Sequence, residues 1–329
     1  MSAGTNGAAR ESSLGSDELG ERVRADGLLA PGQPAVVLLS GGRDSTCLLD
    51  LAVRISGPRA VAALHVNYGL RDSADADERH CGKLCASLGV PLIVRRPRRP
   101  RSGNLQAWAR AERYEAAAGL AQPRSADVAA GHTATDQVET ILYRLASSPS
   151  RRALLGMKPR DGRLVRPLLP FTREQTAAYC TDRGLSWQED ETNVSDAYAR
   201  GRVRAGLTPA LAAIHPAAAA NVLALADILR DEAEVLDALI DELLAGRAEI
   251  ELARLRALSP ALRRLVVQRL ADGAAGGPAP GSARRADEVA AMGDNAKLDL
   301  PHVRALAERG TLRFESHTTG ARRGAPARP

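Results

Sequence analysis

The chain has 329 residues, 44% hydrophobic and only 3% aromatic, with a formal net charge of +6, which is enough for one sizeable core and a smaller second domain. No apolar run approaches the ~18 uncharged residues of a membrane-spanning helix, and no basic-then-apolar leader opens the chain, so a cytoplasmic protein with no membrane partner is expected. Four cysteines, Cys47, Cys81, Cys85 and Cys180, form no C-x-x-C pair, which excludes the usual zinc and iron–sulfur spacings.

Residues 1–33 are polar and glycine-bearing and read as a loosely ordered lead-in, with at most a short helix around 17–25. From Ala35 the pattern alternates. Apolar runs at 35–39, 60–66, 90–94 and 126–130 are followed by helical stretches at 45–55, 74–88, 104–120 and 135–146. Repeated β-α units of this kind predict an α/β fold, a doubly wound parallel sheet with helices on both faces. Ligands in such sheets bind beyond the carboxyl ends of the strands.

A basic, proline-stiffened loop, Arg95-Arg96-Pro97-Arg98-Arg99-Pro100-Arg101, interrupts the alternation. A solvated loop and an RNA-facing one are both open readings. A long helical stretch at 217–247 follows, with further helices expected over 250–271 and 284–310, separated by a flexible segment at 272–282. The resulting division is a lead-in at 1–33, a catalytic domain at 34–215, a smaller helical domain at 216–316 and a disordered tail at 317–329. The helical domain suits dimerisation or reading of an RNA body, and its sequence does not choose between them. Nearly all the positive charge is arginine, since only Lys83, Lys158 and Lys297 are lysines. Arginine grips phosphate bidentately and stacks on bases, so a polyanionic partner suits the composition.

The stretch with the most chemistry is Ser40-Gly41-Gly42-Arg43-Asp44-Ser45, directly after the first apolar run. Two glycines permit positive φ and close approach of N–H groups to an anion, and the helix that follows turns its positive end to the same point. Ser40 and Ser45 add hydroxyls, and Asp44 can hold magnesium. No G-x-x-x-x-G-K-[ST] loop occurs anywhere. Other strand ends carry polar residues that packing does not require. His65-Val66-Asn67-Tyr68-Gly69-Leu70-Arg71 closes the second strand. His132-Thr133-Ala134-Thr135-Asp136-Gln137-Val138-Glu139-Thr140 closes the fourth, with Asp136 and Glu139 on one helical face.

In order and spacing these segments resemble the N-type ATP pyrophosphatases, or PP-loop enzymes, and within them the tRNA(Ile)-lysidine synthases, over about residues 35–211. The 65–71 segment resembles H-V-[ND]-H-G-L-R; Asn104 to Tyr114 resembles N-x-E-x-x-A-R-x-x-R-Y; 132–140 is similar to H-T-A-D-D-Q-x-E-T. Gly156-Met157 and Leu164 to Leu169 match G-M and L-x-R-P-L-L, and 187–204 looks like W-x-x-D-x-[ST]-N followed by R-N-x-x-R. Tyr68, Gln106, Thr135 and Gly201 depart from those patterns, as does Ser147 to Ser150 where R-G-[ST]-G is usual.

The resemblance implies ATP-dependent joining of L-lysine to the wobble cytidine of a tRNA(Ile) with a CAU anticodon, using ATP and Mg2+. It implies that Ser40, Gly41, Gly42, Arg43, Asp44 and Ser45 hold the pyrophosphate and that His65, Asn67 and His132 lie near the nucleotide. Asp44, Arg110, Asp136 and Glu139 would be catalytic, with Asp44 and Asp136 near the metal, and Arg71, Arg200, Arg202 and Arg204 would contact RNA. Cytidine thiolation by a related enzyme normally calls for C-x-x-C pairs, which are absent. A catalytically silent RNA-binding protein would not need Asp44, Asp136 and Glu139 together.

Overall fold

The computed structural model describes residues 14–70, 73–148, 150–189 and 199–317, the side chain of Arg200 excepted. The chain divides into two compact units at Leu229/Arg230, inside a long helix rather than near 215.

The first unit opens with α1 (Ser16–Ala25) and then alternates as β1 (Ala35–Leu38), α2 (Arg43–Ser56), β2 (Val61–Val66), α3 (Ala74–Leu88), β3 (Leu92–Arg95), α4 (Leu105–Ala121), β4 (Asp127–Ala129) and α5 (Ala134–Ser147). A short α6 (Arg151–Leu154), β5 (Arg160–Asp161), β6 (Leu164–Val165) and α7 (Arg173–Asp182) follow, then α8 (Ala199–Arg202), a π-helical turn at Val203–Leu207 and α9 (Thr208–Ile214). The sheet runs β3-β2-β1-β4-β6-β5, parallel except for β5. Successive strands build outward from β1 to β3, and the chain then returns to the other side of β1. That reversal makes the carboxyl end of β1 the topological switch point, where a crevice opens.

The strand pattern explains the two covered faces. Ala35, Val37 and Leu39 point into one buried cluster with Leu48, Leu51 and Tyr179, while Val36 and Leu38 point into another with Ala117, Ala121 and Val128. This is the period of two that a strand imposes, and burial on both sides is why the run is unbroken by polar residues. α1 belongs to the first cluster. Leu19 and Val23 are fully buried and Leu29 nearly so, so the residues from 14 onward in the expected lead-in are part of the packed domain.

The second unit takes the C-terminal part of α10 (Ala218–Leu244), then β7 (Glu249–Glu251), α11 (Leu252–Ala257), α12 (Pro260–Ala275), α13 (Ala286–Ala290), β8 (Ala296–Asp299), β9 (Val303–Glu308) and β10 (Thr311–Ser316). Its strands form an antiparallel sheet, β7-β10-β9-β8. The expectation of helix over 284–310 is therefore corrected to a helix followed by strands. Val303, Ala305 and Ala307 alternate into a core with Leu312, Phe314 and Val267, and Arg309 and Gly310, both at positive φ, make the two-residue turn of a hairpin. Segment 272–282 is also pinned, because Asp272 accepts hydrogen bonds from Gln268 and from the Ala279 N–H. Among the described residues no single helix is long and apolar enough to cross a membrane.

Candidate active site

The loop after β1 folds around its own serines. Ser45 Oγ accepts from the Ser40 N–H at 3.2 Å and donates to the Gly42 carbonyl at 2.8 Å, and Ser40 Oγ accepts from the Gly42 N–H at 3.3 Å. Gly41 has φ +86, and a Cβ there would stand 3.2 Å from Cys81 Sγ, so both conformation and space call for glycine. Gly42 caps α2 without any side-chain hydrogen bond. The helix therefore offers its N–H groups and positive dipole end to an anion rather than to a capping side chain.

Neighbouring segments hold this loop from behind. His65, buried at the end of β2, donates from Nδ1 to the Leu39 carbonyl at 2.9 Å, and Cys81 Sγ lies 3.4 Å from the same nitrogen. The Gln188 N–H donates to the Gly41 carbonyl at 2.9 Å, which ties the Trp187 segment to the loop. Gly131 after β4 comes so near that a Cβ would meet the Asp44 carbonyl oxygen at 3.0 Å. Two motifs far apart in sequence thus meet backbone to backbone.

Three carboxylates gather beside the loop. Asp44 sits in the first turn of α2, and Asp136 and Glu139 lie one helical turn apart on α5. Asp44 accepts from the Thr176 hydroxyl at 2.5 Å and lies 3.3 Å from Arg43 Nε. Asp136 closes a capping box with Thr133, accepting from its N–H and its hydroxyl, each at 3.0 Å. Glu139 is 4% exposed in its side chain and takes a bidentate pair from Arg204, at 2.7 and 2.9 Å. Arg173, the first residue of α7, reaches all three: 2.7 Å to Asp136, 3.6 Å to Glu139 and 3.8 Å to Asp44.

These surroundings pull the acids apart. Burial pushes the Asp44 carboxyl above its ordinary range, with the Thr176 hydroxyl and Arg43 offsetting part of the rise. Burial also pushes Asp136 upward, but Arg173, the Thr133 N–H and His132 together outweigh it and hold that carboxyl below its ordinary range. His132 is lowered to about 4 by burial, with nearby Arg166, Arg110 and Arg113 adding to the fall and Asp136 opposing it. Its ring is neutral near pH 7, and Nδ1 is buried with no hydrogen-bond partner.

The other expected site residues divide into those near this centre and those turned elsewhere. Asn67 is spent on the turn after β2, donating to Asp75 and Glu78 and accepting from the Gly69 N–H. Arg110 on α4 stacks over Tyr114, with Cζ 4.8 Å from the ring centre, outside the carboxylate network but within electrostatic reach of His132. Tyr68, in place of the usual histidine, donates to the Ala109 carbonyl and accepts from Arg113. Arg202 is exposed on α8. Arg204, expected on RNA, turns inward instead because the buried Glu139 needs a counter-charge. Arg71, the side chain of Arg200 and residues 190–198 lie outside the described residues.

Sequence reasoning missed one residue and the physical reason for one motif. Arg173 was not singled out, although a Thr172–Gln175 capping box marks its helix start and a cation at that end opposes the dipole. The G-M motif is a fit between two segments of the chain: Gln137 donates to the Met157 carbonyl and accepts from its N–H, and a Cβ on Gly156 would stand 2.7 Å from the Gln137 amide.

Cavities of about 290 Å³ beside His302 and His317 and of about 180 Å³ beside Asp17 and Arg54 lie away from Asp44, Asp136 and Glu139. Among the described residues no three His, Cys, Asp or Glu side chains stand close enough to hold a metal alone. Magnesium commonly takes one or two carboxylates and fills its shell with phosphate oxygens and water, and Asp44 and Asp136, bridged by Arg173, fit that partial donor set.

A PP-loop domain model matches residues 21–211. The tRNA(Ile)-lysidine synthase of Leifsonia xyli subsp. xyli is 34% identical over 309 residues, 88% of this chain and 92% of that protein. The same-named protein of Gloeobacter violaceus is 36% identical over 76% of this chain and 81% of its own length, and that of Solibacter usitatus 34% over 85% and 62%. In fold the chain is similar to the U34-tRNA thiolase of Methanococcus maripaludis, with a TM-score of 0.54 at 16% identity over 65% of this chain and 78% of that one. Family model, relatives and loop architecture agree: the chain belongs to the PP-loop family and, within it, to the tRNA(Ile)-lysidine synthases.

Proposed function

We infer that the protein joins L-lysine to C2 of the wobble cytidine of a tRNA(Ile) with a CAU anticodon, converting ATP to AMP and pyrophosphate. The chemistry has two steps at one carbon. The cytosine O2 attacks the α-phosphate and pyrophosphate departs; the lysine ε-amine then attacks C2, and AMP leaves with that oxygen. The observation that carries this reading is the junction of two unlike subsites. A glycine loop with an uncapped helix end, suited to a diphosphate, is linked through Asp44, Thr176 and Arg173 to Asp136 and Glu139, suited to an ammonium group.

In the first step the Ser40–Ser45 loop would hold the departing pyrophosphate with N–H groups and the helix dipole. Arg110 and Arg113 would face the α-phosphate, and the neutral His132 would hydrogen-bond there without adding charge. A magnesium ion held by Asp44 and Asp136 would draw off phosphate charge. In the second step Asp136 and Glu139 would bind the ammonium group and take its proton, leaving a neutral amine as nucleophile. His65 would act one step removed from the nucleotide, by fixing the Leu39 carbonyl under the loop.

The tRNA contact is proposed for the arginines that stay exposed. Arg98, Arg99 and Arg101 follow β3 at the carboxyl edge of the sheet, and Arg202 is exposed on α8. Thiolation is not favoured: all four cysteines are buried, and burial raises the Cys81 and Cys85 thiols to about 12 and 11, away from the thiolate that sulfur transfer uses. Incubation with ATP, radiolabelled lysine and total tRNA, followed by digestion to nucleosides, tests the assignment. Label in a modified cytidine is expected; sulfur incorporation without lysine would refute it.

A further inference from the structure

The arginine that links the acid cluster to the phosphate loop takes no chemical step in the scheme above. Arg173 begins α7, where a cation is opposed by the helix dipole, so the helix itself gives no reason for it. Its start is nevertheless stapled to both motifs of the site. The Arg173 N–H donates to Thr135 Oγ1 at 3.3 Å, the Ala134 N–H donates to the Phe171 carbonyl at 2.7 Å, and Thr176 one turn later donates to Asp44. Thr135 thereby supplies an acceptor at the position where the related motif has an aspartate. The side chain is 21% exposed, open enough to move and enclosed enough to matter electrostatically.

The guanidinium divides its nitrogens. One Nη meets Asp136, the other faces Glu139, and Nε faces Asp44. Three carboxylates this close repel one another, and burial penalises each charge. A planar fork spans three acceptors at once; the point charge of a lysine cannot. Arg204, by contrast, makes its two short contacts with Glu139 and stands 3.7 Å from Asp136.

We propose that Arg173 is a positioning residue for amine transfer, holding Asp136 and Glu139 at the spacing an incoming ammonium group requires and coupling them to Asp44 on the phosphate loop. The proposal rests on the amine-transfer reading above. When the substrate amine binds, it takes over part of the Asp136 and Glu139 contacts that the guanidinium makes, so the acids are never left without a cation.

The test separates the half-reactions in the full-length protein. Pyrophosphate release from ATP and tRNA without lysine reports the first step, and lysine incorporation at graded lysine concentrations reports the second. Arg173→Ala is expected to lower lysine incorporation by about 100-fold, mainly through a raised KM for lysine, with pyrophosphate release falling less than about tenfold. Arg173→Lys keeps the charge but not the span and should recover only part of the loss. Added guanidinium ion should restore lysine transfer at least about tenfold in Arg173→Ala and not in Arg173→Lys. Equal losses in both steps, full recovery by lysine, or no response to guanidinium would overturn the role. Wild-type protein that releases pyrophosphate but never transfers lysine would instead defeat the proposed function itself.

Discussion

Arginine–carboxylate pairs occur in both units of this protein, and they do different things. In the first unit Arg173 and Arg204 sit among Asp44, Asp136 and Glu139 with side chains 4% to 30% exposed. In the second, Arg304 meets Asp299, and Arg313 meets Glu308 and Glu315, with every partner 39% to 63% exposed. Water and salt screen the second set, so it adds little to the fold. The first set is charge taken out of water, tolerated because each member answers another. Residue type is the same; burial decides whether a pair is ornament to the surface or part of a site.

That contrast sets the expected order of mutational effects. Asp136→Ala should reduce lysine transfer by about a thousandfold while tRNA affinity, measured by filter binding, stays near that of the parent. Comparable turnover in the variant would remove Asp136 from the site. Arg204→Met leaves Glu139 buried with the longer 3.6 Å contact to Arg173 in place of its bidentate pair, and chemical denaturation should show a loss of about 3 kcal/mol. Pairing it with Glu139→Gln should recover part of that loss, and purely additive effects would show the two are not coupled. Gly41→Ala forces a left-handed φ and crowds Cys81, which should cost about 2 kcal/mol and raise the KM for ATP.

A smaller effect in the first unit depends on pH. Burial favours the neutral ring of His132, whose folded value is about 4 against 6.5 for the free side chain. The unfolded chain therefore takes up a proton that the folded chain refuses, so the stability tied to the neutral ring is complete above about 6.5 and is lost as pH falls toward 4. His132→Gln should flatten the stability profile across that window; an unchanged slope would mean the ring is not buried as neutral. At the bottom of the scale, Arg304→Ala should leave both the melting temperature and the KM for each substrate unchanged.

Much of the first unit was legible because its physics is local and periodic. The four β-α repeats fall within a few residues of their expected places, and the loop after Leu39 stands at a strand end as its glycines require. Local pattern says less about where a side chain turns. Arg202 and Arg204 look alike in sequence, yet a π-helical turn and the buried Glu139 draw Arg204 inward. Arg173 carried a readable clue, a cation just after a capping threonine, but its three partners lie on α2 and α5, which only the fold unites. In the second unit the run 304–308, Arg-Ala-Leu-Ala-Glu, reads as helix by propensity, while the alternating Val303, Ala305 and Ala307 and the Arg309-Gly310 turn specify a hairpin. There tertiary burial overrode propensity.

The claim on which the rest depends is that the phosphate loop and the acid cluster serve one nucleobase in succession. It is tested most directly with ATP labelled at the α-phosphate, tRNA(Ile) bearing the CAU anticodon, and no lysine. The label should become attached to the tRNA, and addition of lysine should release it as AMP while lysine takes its place on the wobble cytidine. A tRNA that never carries the α-label, or an adduct that lysine does not displace, would contradict the account.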